Sequence, residues 1–197
     1  MKLVLASKNE KKLAEMNDIL SHLGIEVCSE AEAGVDLEVE ETGTTFEENS
    51  LLKARAVMEA SGLPAIADDS GLCVDCLNGA PGVYSARYGG GELSDEERYR
   101  LLLNNMRGQM TRAAKFVSVI TCCFPNGDVL SARGECPGTI AYAPMGEGGF
   151  GYDPVFFVPE LKKTFAQLAP DEKNAISHRG KALEAFKEKL EEYLNGM

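Results

Sequence analysis

Two adjacent aspartates, Asp68 and Asp69, stand at the end of an apolar segment, 64–68, that is predicted to be a strand. Neighbouring carboxylates repel one another unless a positive charge lies beside them, and a divalent metal ion is the simplest such charge. Mg²⁺ takes one or two carboxylates together with water and phosphate oxygens, which predicts a site made by Asp69 with help from Glu40 or Glu41 of the preceding acidic loop. Because successive strand residues face opposite ways, only one of the two aspartates is expected to point into a site. The alternative is a turn in which an aspartate caps the next residues of the chain.

A polar, lysine-rich segment joins the first predicted strand to the first predicted helix. The first turn of a helix has backbone N–H groups without partners and a partial positive charge, so it attracts anions. Lysines and small polar side chains there suit a polyphosphate; the alternative is a solvated helix start capped by Ser7 or Asn9. Lys53, on the next helix, is a further phosphate partner or else an exposed helical lysine. The candidate phosphate ligands of the segment are Ser7, Lys8, Asn9, Glu10, Lys11 and Lys12.

A glycine-rich segment at 146–154 contains the bare G-x-G-x-x-G pattern. In a dinucleotide-binding protein this pattern opens a helix directly after a strand, whereas Pro154 and the extended apolar run behind it argue against a helix. We therefore exclude a dinucleotide site. The glycines instead indicate close approach of the backbone to a ligand, with Phe150 or Tyr152 available to stack on a base and Asp153 to accept from its N–H groups. A purely structural glycine turn is the alternative.

Cationic and potentially cationic side chains gather near the start of the last predicted helix, at Lys173, His178 and Arg179, together with Ser177. Cations oppose the dipole at a helix N-terminus, so their presence there costs stability unless an anion or a ring system binds to them. This local conflict favours ligand contact by His178 and Arg179 over a purely structural histidine.

Composition narrows the possible functions. The chain has 197 residues and a net charge of -11, from 20 Lys plus Arg against 31 Asp plus Glu, which disfavours general nucleic-acid binding. No apolar run approaches the roughly 20 residues that span a bilayer, and none forms a signal-peptide core, so we expect a cytoplasmic protein with no membrane partner. In that compartment the six cysteines are expected to be reduced. The chain contains no P-loop motif, and two histidines are too few for a histidine-rich metal site.

Hydrophobic periodicity and capping signals place these segments in an α/β fold with a mixed sheet. Predicted strands cover 2–6, 25–28, 64–68 and 72–76, and the two arms of a hairpin at 116–124 and 129–136. Asn126 and Gly127 are expected to supply the positive φ angles of its turn. Four helices are predicted. The first ends at Gly24, and the second begins at Thr44 or Thr45 and ends near Gly62. The third runs from Ser94 to Gly108, and the last begins near Ser177.

Taken together, these segments resemble the inosine triphosphate pyrophosphatase family, the bacterial dITP/XTP pyrophosphatases that remove aberrant purine nucleotides. The resemblance covers essentially the whole chain, and the set of segments in this order is highly specific. One departure is Ser7-Lys8-Asn9, where many members have Thr-Gly-Asn; serine keeps the hydroxyl. The matching segments are LASKNEKKLAE at 5–15, ETGTTFEENSLLKA at 41–54, IADDSGL at 66–72, GAPGVYSARY at 79–88, GGFGYDPVF at 148–156 and EKNAISHRGKAL at 172–183.

The resemblance implies that residues 1–197 form one domain, an elongated α/β fold whose central mixed sheet is flanked by helices, with a nucleotide cleft between two lobes, usually in a homodimer. It implies Mg²⁺-dependent hydrolysis of ITP, dITP or XTP between the α and β phosphates. By position, residues 7–12 hold the triphosphate, Asp69 is proton acceptor and metal ligand, and Ser70 touches the substrate. The residues that then hold the purine and its neighbouring phosphate are Phe150, Gly151, Tyr152, Asp153, Lys173, His178 and Arg179.

Two other functions agree with the same residues. The first is a pyrophosphatase for modified pyrimidine or methylated nucleotides, which combines the same phosphate site with a different base pocket. The second is a nucleotide-sensing protein without hydrolytic activity, which keeps the lysines and the glycine-rich segment but needs no metal-bound Asp69.

Overall fold

A computed structural model describes residues 1–196, apart from the side chains of Lys11, Glu15, Asp18, Ile19 and His22. The predicted phosphate contact of Lys11 therefore lies outside the described side chains. The strands are β1 (Lys2–Leu5), β2 (Glu26–Ser29), β3 (Ala65–Val74), β4 (Ala113–Cys123), β5 (Val129–Ile140), β6 (Phe156–Val158) and β7 (Lys163–Thr164). The helices are α1 (Glu10–Leu20), α2 (Phe46–Ser61), α3 (Asp95–Asn105), α4 (Pro170–Ile176) and α5 (His178–Asn195).

Seven strands within residues 1–196 form one sheet in the order β2-β1-β3-β4-β5-β6-β7. Strand β1 pairs in parallel with β2, with Leu3 opposite Val27, and with β3, with Leu5 opposite Ile66. Parallel neighbours need a long crossover, which α1 and α2 provide. Strands β5, β6 and β7 pair antiparallel. The predicted α/β class with a mixed sheet is confirmed.

One compact unit consists of Met1–Asp69, Ser118–Gly134 and Arg179–Met197. Its part of the sheet is buried on both faces. Successive side chains of a strand point to opposite faces, and those of β1 pack against helices in both directions. Leu3 and Leu5 pack in a cluster with α1 and α5, while Val4 packs in another with α2. The principal core residues of the helices are Met16 and Leu20 of α1, Ala54 and Val57 of α2, and Phe186 and Leu190 of α5.

The other compact unit consists of Ser70–Val117 and Glu135–His178 and has a core of its own. Aromatic rings occupy the centre of this core. Phe156 lies with its ring centroid 4.6 Å from that of Phe116 and 4.8 Å from that of Phe165. These edge and tilted contacts are the arrangements that aromatic quadrupoles favour.

The capping signals locate the helices correctly. A capping box joins Thr45 to Glu48 at the start of α2, which decides between the two predicted starts, and another joins Ser94 to Glu97 at the start of α3. Gly24, with φ of 67°, ends the turn that comes after α1. No helix in the described part of the chain is both long and apolar enough to cross a membrane. The six cysteines form no disulfide within the described residues.

Two local predictions are wrong. The strands predicted at 64–68 and 72–76 are one continuous strand, β3, because its residues are buried nearly throughout and sheet pairing outweighs the glycine in the middle. In the β4–β5 turn only Gly127 has positive φ, 95°; Asn126 does not. The turn is a three-residue loop closed by the N–H of Phe124 donating to the carbonyl of Asp128 at 2.9 Å.

The segment before the last helix is itself helical. A short helix, α4, precedes α5, and Lys173 lies on α4. The prediction of three cationic groups on one helix start is therefore corrected: His178 and Arg179 begin α5, and Lys173 belongs to the preceding helix. Pro170 at the first position of α4 suits a helix start because proline has no N–H to leave without a partner.

Truncation of a core leucine should destabilise the protein. Leu190 on α5 is fully buried, and Leu190→Ala is expected to lower the free energy of unfolding by about 2–5 kcal/mol, since it removes apolar contacts and leaves a cavity. Leu52→Ala on α2, where the leucine is 39% exposed, is the matched control and should cost less than about 1 kcal/mol. Urea unfolding followed by circular dichroism measures both; equal losses would contradict the assignment of Leu190 to the core.

Candidate functional site

Asp68 is a fully buried carboxylate near the middle of β3. It accepts hydrogen bonds from Ser118 Oγ at 2.6 Å and from Arg179 Nε at 3.1 Å, and Lys12 Nζ lies 2.8 Å from its Oδ2. Burial opposes ionisation of Asp68, but Lys12 and Arg179 outweigh it and hold its pKa far below the ordinary value. Asp68 is therefore a permanent negative charge on which the β1–α1 region, β4 and α5 converge.

Asp69 is in a different environment from its neighbour. Its Oδ1 accepts from Lys53 Nζ at 2.9 Å, and the same ammonium donates to Glu41 Oε1 at 2.7 Å. The Oδ2 of Asp69 is buried and has no hydrogen-bond partner in the described part of the chain. Burial is the main cause that raises the pKa of Asp69, and Lys53 lowers it in part. Asp69 thus combines raised basicity with an oxygen available to a ligand.

Lys53 is largely buried between these carboxylates. Burial disfavours its charged form, but Asp69 and Glu41 outweigh that effect and raise its pKa. The ammonium also donates to the backbone carbonyl of Asp68 at 3.1 Å. Lys53 therefore remains positively charged, and of its two predicted environments the exposed helical one is wrong.

The two candidate carboxylates of the acidic loop differ in position. Glu40 is exposed, whereas Glu41 shares Lys53 with Asp69. Two residues after Glu41, Gly43 N donates to the buried Asn49 Oδ1 at 2.8 Å, and a Cβ at Gly43 would lie 2.6 Å from that oxygen. The glycine allows the loop to approach α2 closely. The structure thus brings Glu41, and not Glu40, to Asp69.

The β1–α1 segment begins its helix with its own side chains. Asn9 N donates to Ser7 Oγ at 3.2 Å, and Lys12 N donates to Asn9 Oδ1 at 3.3 Å, which is the capping arrangement considered as an alternative. Glu10 is exposed, and the exposed Lys8 Nζ lies 3.7 Å from Asp36 Oδ1. Of the described lysine side chains in this segment, Lys12 forms an ion pair with the buried Asp68, whereas Lys8 is exposed to solvent.

The glycine-rich segment presents an aromatic ring. Phe150 is 44% exposed, and the Lys173 ammonium lies 4.7 Å from its ring centroid. The buried Asp153 Oδ2 accepts from Phe150 N at 2.9 Å and from Lys173 Nζ at 2.6 Å. A Cβ at Gly149 would overlap the Asp153 carboxylate, so glycine is required for this approach.

The other predicted base ligand of this segment, Tyr152, is a core residue. It is 5% exposed, and its hydroxyl donates to the carbonyl of Ser85 at 2.8 Å. Burial raises the pKa of its phenol. The ring of Tyr152 is therefore not presented for stacking on a base, and Phe150 is the aromatic side chain of the segment that a ligand can reach. Gly151, which separates the two, has a positive φ of 59°.

His178 and Arg179 are adjacent in sequence but have different partners. The buried His178 ring stacks on Phe116, with centroids 4.7 Å apart and planes at 13°, and is parallel to Phe165 at 6.5 Å. Arg179 makes its ion pair with Asp68. Ser70, the residue after Asp69, is half-buried on β3. The predicted contacts of these three residues with a substrate stay predictions.

Sequence reasoning gave no role to Asp68 or Ser118. A signal for both was present: Ser118 is a polar residue within the apolar run of β4, and Asp68 directly follows the apolar residues that begin β3. A buried polar side chain needs a partner, so two such residues on strands are candidates for one another. Strand order, which the sequence did not supply, was needed to pair them.

No group of three or more His, Cys, Asp or Glu side chains in the described part of the chain could hold a metal ion. A site that takes all its ligands from protein is therefore not found among these residues. Asp69 and Glu41 offer two carboxylates, and Asp69 Oδ2 is a buried oxygen without a partner among the described residues. Such a pair suits Mg²⁺, which keeps water and phosphate oxygens in its coordination sphere.

Comparison with known proteins identifies the family. The sequence profile of the Ham1 family matches residues 3–189. The chain belongs to the Ham1 family. This result confirms the resemblance drawn from the sequence segments.

Relatives of this Ham1 family member share its full length. The dITP/XTP pyrophosphatase of Exiguobacterium sp. (strain ATCC BAA-1283 / AT1b) is 48% identical over 196 residues, covering 100% of both chains. The dITP/XTP pyrophosphatase of Haemophilus influenzae is 52% identical over 193 residues, 96% of this chain and 98% of that protein. The structure of a HAM1 protein from Coxiella burnetii matches with a TM-score of 0.93 at 46% identity, covering 98% of this chain and 99% of that one.

Removing the charge of Asp68 should destabilise this Ham1 family member strongly. Asp68→Asn leaves Lys12 and Arg179 without their common counter-charge, and we expect the free energy of unfolding to fall by about 3 kcal/mol at neutral pH. Asp36→Asn is the control: its side chain is 99% exposed, and its loss should change stability by less than about 0.5 kcal/mol.

The depressed pKa of Asp68 makes its contribution to stability depend on pH. A carboxyl whose pKa is lower in the folded protein stabilises it fully above the ordinary pKa of about 4 and loses that contribution as the pH falls below it. The difference in stability between wild type and Asp68→Asn should therefore be constant from about pH 5 to 8 and shrink below about pH 4. A difference that shrinks already near neutrality would show that Asp68 is not the ionised partner of these two cations.

Proposed function

We propose that this protein hydrolyses non-standard purine nucleoside triphosphates, such as dITP, ITP and XTP, to the nucleoside monophosphate and pyrophosphate. The relatives named dITP/XTP pyrophosphatase, about half identical to this chain over its whole length, support the reaction. The observation that carries the proposal is the buried Asp69 carboxylate, which has a raised pKa and an oxygen without a hydrogen-bond partner in the described part of the chain.

Asp69 acts as the proton acceptor. A water molecule attacks the α-phosphorus, its oxygen forms the new P–O bond, and its proton goes to the carboxylate. The bond from the α-phosphorus to the bridging oxygen breaks, and pyrophosphate leaves with the electron pair. Burial makes Asp69 a stronger base than an exposed aspartate, while Lys53 at 2.9 Å keeps it ionised until the proton arrives.

Asp69 and Glu41 are the proposed ligands of Mg²⁺, with Glu41 in place of Glu40. Both carboxylates accept a hydrogen bond from Lys53 Nζ, which places them close together. The buried Oδ2 of Asp69 needs a partner, which a metal ion would provide. When bound, the ion supplies positive charge to the phosphate oxygens and polarises water. The metal dependence and the identity of the ion belong to the proposal.

Positive charge for the triphosphate comes from the β1–α1 segment, because the three N–H donors of Lys53 already serve Glu41, Asp69 and the carbonyl of Asp68. The exposed Lys8 is available to a phosphate, and Lys12, fixed by Asp68, holds its ammonium at the start of α1. Preorganised cations stabilise charge that develops on leaving pyrophosphate without the cost of moving them during the reaction. Ser7 and Asn9 shape the segment through their capping bonds.

The base is assigned to the exposed face of Phe150, with His178 and Lys173 as further contacts. Hypoxanthine and xanthine carry a carbonyl at the purine 6-position, where adenine carries an amino group. A donor aimed at this position pairs with the carbonyl and is left without a partner by adenine, which costs orders of magnitude in rate.

The homodimer and the cytoplasmic location predicted from the sequence are also part of the proposal.

The substrate class is tested by a panel of ITP, dITP, XTP, GTP, ATP and CTP, with and without Mg²⁺, with pyrophosphate and orthophosphate measured separately. We expect Mg²⁺-dependent pyrophosphate from the inosine and xanthosine nucleotides, and at least about 100-fold lower kcat/KM for ATP. Preference for CTP or for modified nucleotides would support the alternative pyrophosphatase. Nucleotide binding without any turnover would support the sensor instead.

The role of Asp69 is tested by Asp69→Asn. The amide cannot accept the proton, so kcat should fall about 100- to 10,000-fold while the thermal midpoint and the Kd for nucleotide, measured without metal, stay close to wild type. Asp75→Asn carries the same change on an exposed residue further along the chain and should keep wild-type kcat. Undiminished hydrolysis by Asp69→Asn would exclude Asp69 as the proton acceptor.

A further inference from the structure

The peptide groups on both sides of the Phe150 side chain are held by carboxylates. Phe150 N donates to Asp153 Oδ2 at 2.9 Å, and Gly151 N donates to Asp95 Oδ2 at 2.7 Å. Asp153 belongs to the glycine-rich segment itself, whereas Asp95 is the first residue of α3. The second contact therefore ties the segment to an element far away in the sequence.

Asp95 is itself held in place. The nearly buried Arg98 donates from Nη1 to Asp95 Oδ1 at 3.2 Å and from Nη2 to the carbonyl of Leu93 at 2.7 Å. The capping box between Ser94 and Glu97 fixes the same first turn of α3. A carboxylate at a helix N-terminus is also favoured by the helix dipole. The oxygen that receives Gly151 N–H is thus presented from a rigid turn, with its charge balanced by Arg98.

The glycine-rich segment needs such a contact. Gly149 and Gly151 have positive φ, 75° and 59°, and glycine has more accessible backbone conformations than any other residue. Ordering this glycine-rich segment therefore carries a large conformational entropy cost, which hydrogen bonds to charged groups can offset. With Asp153 on one side and Asp95 on the other, the exposed Phe150 ring is kept in one position beside Lys173.

We infer that Asp95, supported by Arg98, is a positioning residue that determines selectivity for the purine by fixing the Phe150 ring. The inference rests on the proposed function, in which Phe150 receives the base. Asp95 acts through the backbone of Gly151 and touches neither the reacting phosphate nor the residues around Asp69. Its loss should therefore weaken recognition of the base while leaving recognition of the phosphates unchanged.

The test compares Asp95→Ala, Asp95→Asn and Glu96→Ala with wild type. Glu96 is the matched control, because it is an exposed carboxylate in the same first turn whose ion pair, with Arg100, stays within α3. The readouts are the kcat and KM for dITP, the kcat/KM ratio of dITP to dATP, and inhibition by IMP, which has the base, and by pyrophosphate, which has none.

For Asp95→Ala we expect an about tenfold higher KM for dITP, a kcat within about twofold of wild type, and about tenfold weaker inhibition by IMP, with the dITP to dATP ratio reduced and inhibition by pyrophosphate unchanged. Asp95→Asn keeps an oxygen that can accept from Gly151 N–H and should restore most of the affinity for IMP. Glu96→Ala should match wild type. Equal weakening of IMP and pyrophosphate, or no change in either, overturns the inference.

A spectroscopic comparison decides the position of the ring without turnover. The chain contains no tryptophan, so Phe150→Trp introduces a single indole on the segment, whose fluorescence is excited at longer wavelengths than that of the tyrosines. Adding Asp95→Ala should increase acrylamide quenching of this tryptophan, and adding Glu96→Ala should not. Unchanged quenching overturns the inference. If the wild-type protein releases no pyrophosphate, the proposed function fails, while the quenching comparison still decides whether Asp95 holds the segment.

Discussion

The buried negative charge of Asp68 is the interaction on which the unit around the phosphate site depends. A carboxylate without solvent must be neutralised, and here Lys12, Arg179 and Ser118 do so from three different elements. Removal of any one of these partners leaves a position around the buried carboxylate without its hydrogen bond or its counter-charge. The requirement therefore fixes the start of α1, the start of α5 and the middle of β4 around one point of β3.

This neutralisation leaves Asp69 available for chemistry. Two adjacent carboxylates on one strand face opposite sides, so their partners do not compete. Asp68 has its full set of partners, whereas Asp69 shares Lys53 with Glu41 and retains a buried oxygen without a partner among the described residues. One aspartate is thus structural and strongly acidic, and its neighbour has the raised pKa of a proton acceptor.

The second unit achieves order by other means. Stacked rings of Phe116, Phe165 and His178 form part of its core, and the glycine-rich segment is held by carboxylates at its backbone N–H groups. The exposed Phe150 therefore lies on a glycine-rich segment whose backbone is held by Asp153 and by Asp95 at the start of α3. A binding surface built in this way depends on residues that do not themselves contact the ligand.

Local signals in the sequence were sufficient for the helix starts at Thr45 and Ser94, the class of fold, the absence of a helix after Gly149, and the different surroundings of the two adjacent aspartates. Each depends on residues a few positions apart, or on a resemblance carried by short segments. Strand continuity through Gly71, the burial of Tyr152, the pairing of Asp68 with Arg179 and the choice of Glu41 over Glu40 were decided by the tertiary structure. These depend on which distant segments become neighbours, because burial and charge pairing are properties of the assembled chain, and a residue's type alone does not name its partner.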